Sequence, residues 1–238
     1  MSRAGFWKLS GWVLLYLALA VAGYVAYEWA TWPDVARLAT ANPTTTAWME
    51  MRAAEARAKG MRPRRAQIWV PLTAISPHLK NAVLIAEDAA FFQHEGLDYN
   101  EIREAIKVNA EKLEFARGAS TITQQLAKNL YLSPSRNPMR KLKELLLTLT
   151  LEHHLSKRRI FELYLNVIEW GDGIYGAEAA ARTYFATSSG DLSREQAAAL
   201  AAVIINPRRY SPTAPSRRIR NRIALILERM QRYQYYKE

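Results

Sequence analysis

The sequence predicts a mostly α-helical protein with one N-terminal transmembrane helix. Capped, amphipathic segments recur along most of the 238 residues, and only residues 67–71 resemble a β-strand. Half of the residues are hydrophobic, which is enough to bury a core and excludes overall disorder. The net charge of +11 favours an anionic partner. Because the chain has no cysteine, disulfides, thiolate metal sites and a cysteine nucleophile are excluded.

The transmembrane helix is predicted from residues 9–27, a stretch of 19 residues without a charge. A helix needs about 20 apolar residues to cross a bilayer. Arg3 and Lys8 precede this stretch, whereas Glu28 and Asp34 follow it, so the positive-inside bias predicts a cytoplasmic N-terminus. A cleaved signal peptide and a buried core helix are the alternatives, although a signal peptide has a shorter apolar stretch.

Three regions are predicted along the chain. Residues 1–30 form the cytoplasmic N-terminus and the membrane anchor. Residues 31–65 form a helical stalk or linker with an alanine-rich pattern, and residues 66–238 form the main domain.

Helix starts in the main domain are predicted from residues that cap helix N-termini. They are Ser76 before Pro77, Asp98 with Glu101, Asn137 before Pro138, Ser156, Ser193 with Gln196, and Ser216. The long helix after Asn137 has an apolar side made of four leucines, Leu142, Leu145, Leu146 and Leu149.

Two adjacent carboxylates, Glu87 and Asp88, lie where the helix after Ser76 ends. Neighbouring side chains on a helix point about 100° apart, so one carboxylate can face a cleft while the other accepts structural hydrogen bonds. Apolar neighbours such as Leu84 and Phe91 would raise a carboxylate pKa and suit it to general base catalysis. The alternative is a pair of solvated surface residues.

A second polar cluster spans residues 117–129. Arg117 and Gly118 form a turn before a helix whose first residues, Ser120 and Thr121, carry hydroxyls, and such helix N-termini attract anions. Helical spacing places polar residues on two adjoining faces, Ser120, Gln124 and Lys128 on one, Gln125 and Asn129 on the next. A capped amphipathic helix with a solvated polar side is the alternative.

A third cluster consists of Arg140, Lys141 and Glu144. Both cations lie within one helical turn of Glu144, so its charge is balanced and it suits an ionised partner rather than a proton carrier. Taken alone, the cluster is an exposed ion pair worth a few tenths of a kcal/mol, on the order of other surface pairs.

Together these clusters resemble, in order, the motifs of the peptidoglycan glycosyltransferase family, in its monofunctional, membrane-anchored form. The likeness covers residues 66–212. Its motifs are Glu-Asp-x-x-Phe-x-x-His-x-Gly at 87–96, Gly-x-Ser-Thr-x-x-Gln-Gln-x-x-Lys-Asn at 118–129, Arg-Lys-x-x-Glu at 140–144, Glu-Leu-Tyr-Leu-Asn at 162–166 and the run that follows Gly176. The resemblance implies a two-lobed, lysozyme-like helical domain.

The resemblance also implies an activity, the polymerisation of lipid II into β-1,4-linked glycan strands with inversion. Glu87 would be the catalytic base, and Glu144, the second catalytic residue, would hold the neighbouring cations and help ligate a divalent ion such as Mg²⁺ or Mn²⁺. No tightly bound cofactor is expected. The substrate-binding set would be Asp88, Arg117, Ser120, Thr121, Gln124, Gln125, Lys128, Asn129, Arg140 and Lys141. The structural set would be Phe91, His94, Gly96, Gly118, Glu162 and Asn166.

One motif departs from the family. Where two-domain relatives carry a lysine, this chain has Ile205 or Asn206, so a phosphate contact is missing unless Arg208 or Arg209 replaces it. The chain contains neither Ser-x-x-Lys nor Lys-Thr-Gly, which excludes penicillin-type transpeptidation.

The expected location is the bacterial inner membrane, with the catalytic domain on the periplasmic side. Lipid II, the growing strand, the membrane and other wall-synthesis proteins are the expected partners. The basic, tyrosine-containing segment 208–238 would suggest nucleic acid in a soluble protein, but outside the cytoplasm a membrane-facing helix is the better interpretation.

Two other functions remain open from the sequence. A glycan-cleaving relative would need a protonated general acid and a water site, and it would have no use for the cation cluster. A non-catalytic scaffold would bind anionic lipid through the basic tail.

Overall fold

The computed structural model describes residues 3–112, 120–133 and 137–236. The chain divides into two compact units, residues 1–34 and 35–238. The first unit contains helix α1, Arg3–Ala30. Over the described residues, no helix combines the length and the apolar character needed to cross a membrane. The predicted helix is therefore present, while its crossing of a membrane stays a prediction.

The second unit is built mainly from helices, which confirms the mostly α-helical character that the sequence predicts. In its described part they are α2 Ala47–Ala58, α3 Pro77–Glu87, α4 Tyr99–Lys112, α5 Ile122–Tyr131, α6 Pro138–His154, α7 Lys157–Val167, α8 Ala177–Phe185, α9 Arg194–Val203 and α10 Arg217–Arg232. Helix α3 packs against α9 and α10, and α5 packs against α2, α6 and α7. The candidate residues on α3 and α5 are thus held by two groups of packed helices.

Side-chain caps start the helices where the sequence predicts them. Ser76 accepts a hydrogen bond from the backbone of α3, with proline at the first helical position. Ser193 and Gln196 form a reciprocal capping box at α9. The same kind of cap is present for α6, α7 and α10, at Asn137, Ser156 and Ser216.

A small sheet was only partly anticipated. Strands β1 Ala66–Gln67, β2 Glu169–Gly171 and β3 Ile174–Tyr175 form a sheet in the order β1-β3-β2, with β1 parallel and β2 antiparallel to β3. The predicted strand at 67–71 is wrong beyond Gln67, because Pro71 starts a 3₁₀ turn. The β2–β3 hairpin was missed because strands this short leave no alternating pattern.

Helix α2, predicted as part of a stalk, packs into the second unit. Met49 is buried. The indole nitrogen of Trp48 donates to Glu169 Oε2 at 3.0 Å, and Arg52 Nε donates to the same oxygen at 3.2 Å. The compact part of the chain therefore begins near residue 35 and not near residue 66.

Helix α6 buries a different side from the one expected. Leu142, Leu146 and Leu149 are exposed by 46%, 45% and 46%, whereas the buried residues include Glu144 and Thr148. The Thr148 hydroxyl donates to the Glu144 backbone oxygen at 2.7 Å, and Glu144 takes cationic partners from its own helix. Polar groups satisfied in this way can be buried, and the leucines then face outward.

Candidate active site

Glu87 ends helix α3 and is a half-buried acid in the wall of the candidate cleft. Its Oε2 accepts a hydrogen bond from Gln125 Nε2 at 2.9 Å, and its Oε1 accepts one from Arg222 Nη2 at 3.0 Å. The side chain is only 12% exposed. Burial raises the pKa of Glu87, while Gln125, Arg222 and Lys128 act in the opposite direction without cancelling the rise. A raised pKa makes the ionised carboxylate a stronger base, which suits it to accept a proton.

Gln125 is itself held in one orientation. The Tyr164 hydroxyl donates to Gln125 Oε1 at 2.8 Å, so the amide must turn its NH₂ group toward Glu87. Burial raises the pKa of Tyr164 well above its ordinary value, which keeps the hydroxyl protonated as a donor. Asn129 donates to the backbone oxygen of Gln125 at 2.8 Å. The result is a fixed chain of hydrogen bonds from α7 through α5 to the carboxylate.

Asp88 makes protein contacts with both carboxylate oxygens. Its Oδ2 accepts from the backbone N–H of Ile122 at 3.0 Å, and its Oδ1 lies 3.1 Å from His94 Nε2. Because the Gly96 N–H donates to His94 Nδ1 at 3.1 Å, the proton of a neutral His94 is on Nε2, facing Asp88. Asp88 therefore ties the loop after α3 to the first turn of α5.

Thr121 and Gln124 form the capping box of α5. The Thr121 N–H donates to Gln124 Oε1 at 3.0 Å, and the Thr121 hydroxyl donates to the Gly96 backbone oxygen at 2.7 Å. Gly96 has φ of +87°, and a Cβ there would lie 2.8 Å from a Thr148 methyl. Helical spacing alone had placed Gln124 on the same face as Lys128. In the structure its side chain turns back and bonds to the cap instead.

Ser120 is exposed and lines a cleft of about 340 Å³ together with Glu87. The same cleft is bordered by Asp98, Glu101 and Arg229. A second cavity of about 240 Å³ is lined by Gln125, Lys128 and Asn129. Gln125 belongs to the wall of this second cavity and contacts the base of the first, so it connects the two.

Lys128 lies within electrostatic reach of both predicted catalytic acids. Burial lowers the pKa of Lys128, Arg140 and Lys141 lower it further, and Glu144 and Glu87 act against this. The half-buried Lys128 ammonium is partly desolvated, which strengthens its attraction for an anionic ligand.

Arg140, Lys141 and Glu144 form an ion cluster on the first turns of α6. Arg140 Nη1 lies 3.1 Å from Glu144 Oε2, and the Lys141 ammonium contacts Glu144 Oε1. Glu144 is 4% exposed, so the alternative of an exposed ion pair does not hold for this acid. Both of its oxygens are engaged by cations, and no group of three His, Asp or Glu suited to a metal occurs within the described ranges. These residues do not fit a protein-held divalent ion.

Other predicted residues support the cleft from outside. Phe91 is buried with its ring 5.6 Å from that of Phe161. Glu162 Oε2 accepts from Leu72 N at 2.9 Å, and Asn166 bonds to both backbone groups of Val70. Arg117 and Gly118 lie outside the described residues.

Ile205 and Asn206, at the position of the absent lysine, line the cavity of Lys128 and Asn129. Arg208 lines it as well, but its guanidinium is paired with Asp172 at 3.1 Å and Glu55 at 3.4 Å.

Sequence reasoning missed the contact of Arg222 with Glu87. The basic helix α10 was expected to face a membrane, yet Ile219 and Ile226 on it are buried. Their spacing places Arg222 on the buried face, a signal that was available from helical periodicity.

The fold and this cleft define a class of protein. A buried, basic carboxylate next to a desolvated lysine can take a proton from a nucleophile while cations stabilise charge on a leaving group. The class is an enzyme that transfers a group from an anionic donor.

Comparison with known proteins identifies the family. The sequence model of the transglycosylase family matches residues 54–231. A biosynthetic peptidoglycan transglycosylase of Dechloromonas aromatica is 50% identical over 189 residues, 79% of this chain and 82% of the relative. Its namesakes from Nitrosomonas eutropha and Chromobacterium violaceum are 45% and 43% identical, over 93% and 97% of this chain and 91% and 97% of theirs. The chain belongs to the transglycosylase family, and the mostly helical fold fits its lysozyme-like domain.

Proposed function

We propose that this chain is a peptidoglycan glycosyltransferase that polymerises lipid II into β-1,4-linked glycan strands. The observation that carries the proposal is the enclosed Glu87 carboxylate, which is held by Gln125 and Arg222 and interacts electrostatically with the half-buried Lys128. The transglycosylase family and the names of the relatives support the same activity.

In the proposed reaction, Glu87 takes the proton from the 4-hydroxyl of the acceptor N-acetylglucosamine. The oxygen attacks C1 of the donor N-acetylmuramic acid, and the C1–O bond to the undecaprenyl pyrophosphate breaks. An α-linked donor gives a β-linked product in one inverting displacement, without a covalent enzyme intermediate. The leaving group departs as an anion, so it needs cationic stabilisation more than a proton.

Lys128, Arg140 and Lys141 are the proposed cations for the pyrophosphate, with Ser120 as a hydroxyl donor. Lys128 is partly desolvated and interacts electrostatically with Arg140, Lys141 and Glu144. These interactions support a common anion-binding role for the three cations. Glu144 holds two of these cations and carries no proton in the reaction. In this proposal a divalent ion would arrive bound to the substrate pyrophosphate, because both oxygens of Glu144 are already paired with Arg140 and Lys141.

We further propose that the enzyme is anchored in the inner membrane with its catalytic unit on the periplasmic side. The uncharged stretch 9–27 supports an anchor. The exposed leucines of α6, Leu142, Leu146 and Leu149, support contact with lipid by the catalytic unit. An enzyme kept at the membrane meets its lipid-linked donor at a high local concentration.

The experiment is incubation of the full-length protein with labelled lipid II in detergent, followed by chromatography of the products. Polymer that lysozyme digests supports the proposal. Cleavage of preformed strands would instead identify a glycan-cleaving enzyme, and binding without turnover would identify a scaffold. In proteoliposomes, deletion of residues 1–30 should lower the rate far more than it does in detergent. Equal rates of the full-length and shortened proteins there would overturn the role of the anchor in substrate capture.

A further inference from the structure

Arg222 lies against Glu87 although the two residues are 135 positions apart. Its Nη2 donates to Glu87 Oε1 at 3.0 Å and to the backbone oxygen of Ala86 at 3.1 Å. The side chain is 29% exposed, and among the described residues its Nε has no acceptor. One guanidinium nitrogen therefore joins the carboxylate to the last turn of the helix that carries it.

The place of Arg222 is set by the packing of α10. Ile219 and Ile226, three residues before and four residues after it, are buried on the same face of the helix. Just past the end of α10, the amide of Asn81 on α3 makes two hydrogen bonds to the backbone, at 3.0 and 2.8 Å. Because these contacts flank Arg222, its guanidinium is held at the end of α3 by packing that does not depend on the ion pair.

Within the part of the chain that the structure describes, Arg222 is the cation that directly contacts Glu87. Among the described residues, the titratable groups that face Glu87 are Arg222 from α10, Lys128 from α5, Tyr164 from α7 and the adjacent Asp88. The wall of the cleft adds Asp98, Glu101 and Arg229. Burial raises the pKa of Glu87, and loss of Arg222 would remove one of the groups that oppose the rise.

We propose that Arg222 is a positioning residue for the general base. It holds the Glu87 carboxylate against the end of α3 and stabilises its negative charge until the proton arrives from the acceptor hydroxyl. The inference rests on the proposed function, in which Glu87 takes that proton. Because Arg222 contacts the base, its loss should lower kcat and leave KM nearly unchanged.

The test compares Arg222→Met, Arg222→Lys and the control Arg218→Met in the full-length protein, with lipid II in detergent. Arg218 is exposed on the same helix, so its replacement removes the same charge without touching the base. We expect kcat of Arg222→Met to fall about 10-fold, the low end for a charge-assisted hydrogen bond, and that of Arg222→Lys to fall less. Arg218→Met should behave as wild type.

The pH profile separates positioning from folding. A base must be ionised, so kcat/KM falls on the acid side as Glu87 becomes protonated. Without Arg222 the carboxylate is less stabilised, and the acid limb should move to higher pH in Arg222→Met but not in Arg218→Met. In Glu87→Gln, adding Arg222→Met should cause no further loss, because Arg222 acts through the base.

The outcomes divide cleanly. If wild type makes no polymer, the proposed function fails. If wild type polymerises and Arg222→Met shows the kcat and acid limb of Arg218→Met, only the positioning role is overturned. Should Arg222→Met fail to fold, as judged by its melting curve, Arg222→Gln decides, since it also removes the charge, and an unchanged acid limb with an unchanged kcat in that variant would equally overturn the role.

Discussion

Glu87 and Glu144 are both helical glutamates with little solvent contact, at 12% and 5% side-chain exposure, yet their partners differ in origin. Glu87 is bonded by the neutral amide of Gln125 and by one guanidinium from a distant helix. Glu144 is bonded by two cations, Arg140 and Lys141, that come from its own helix. Similar burial therefore gives two kinds of carboxylate.

The difference shows how two enclosed glutamates of one protein can be suited to different roles. Burial with incomplete charge compensation raises the pKa of Glu87 and suits it to proton transfer. A carboxylate with two local cations is better suited to hold those cations in place. Lys128 interacts electrostatically with both acids, so it lies within reach of both regions.

The largest effect should come from Glu87→Gln. Glutamine keeps the size of the side chain but removes the basic oxygen, so turnover should fall by at least about 100-fold. Binding of a phosphoglycolipid inhibitor, measured by fluorescence polarisation, should survive. Glu95→Gln, an exposed change in the following loop, serves as the control and should be silent. Polymerisation by Glu87→Gln near the wild-type rate would remove the base assignment.

Next in size are Lys128→Ala and Arg140→Ala. Each removes a proposed charged contact to the pyrophosphate, worth about 1.5–3 kcal/mol, or roughly 10- to 100-fold in binding. Inhibitor affinity and turnover should therefore fall together, which distinguishes these residues from Glu87. Slower turnover of Lys128→Ala with intact inhibitor affinity would show that Lys128 acts on the acceptor or on folding instead.

A smaller loss is expected for Glu144→Gln. Arg140 and Lys141 keep their charges but lose the acceptor that fixes them, so we expect a loss of about 10-fold or less in donor affinity and turnover. The acid limb of the pH profile should stay where it is in wild type, because Glu87 remains the titrating base. A shifted acid limb in this variant would show that Glu144 affects the titration of Glu87, contrary to the separate roles that we propose for the two acids.

The alkaline side of the pH profile tests Lys128. Because burial lowers the pKa of Lys128, its positive charge is lost at a lower pH than that of an exposed lysine, and donor binding weakens as pH rises. Lys128→Arg keeps a charge that does not titrate in this range, so the alkaline limb should move to higher pH. An unmoved limb would assign the alkaline loss to another group.

Local sequence signals predicted the start of many elements and several residues that line the cleft, among them Glu87, Asp88 and Ser120. Ser76, Asn137 and Ser193 cap helices because a cap depends on residues two or three positions away. The motifs likewise identified Glu87 and Gln125 as candidate site residues, and the two side chains are in contact in the structure.

What the sequence did not predict depends on distant partners. The contact of Arg222 with Glu87 joins the end of α3 to α10, and the contacts of Trp48 and Arg52 with Glu169 join α2 to the β2–β3 hairpin. The outward face of α6 was misjudged for the same reason, because only tertiary packing decides whether leucines or satisfied polar groups are buried.

The smallest effect on catalysis should come from Asp88→Asn, which tests the structural neighbour of the base. Its carboxylate accepts from the Ile122 backbone and from His94, and an amide can keep the first bond while weakening the second. The net loss should be about 1 kcal/mol, which lowers the melting temperature by roughly 2–4 °C for a unit of this size. Turnover at a temperature well below melting should change less than in any variant above. An unchanged melting temperature with a large loss of turnover would reverse the assignment and place Asp88, rather than its loop, in the chemistry.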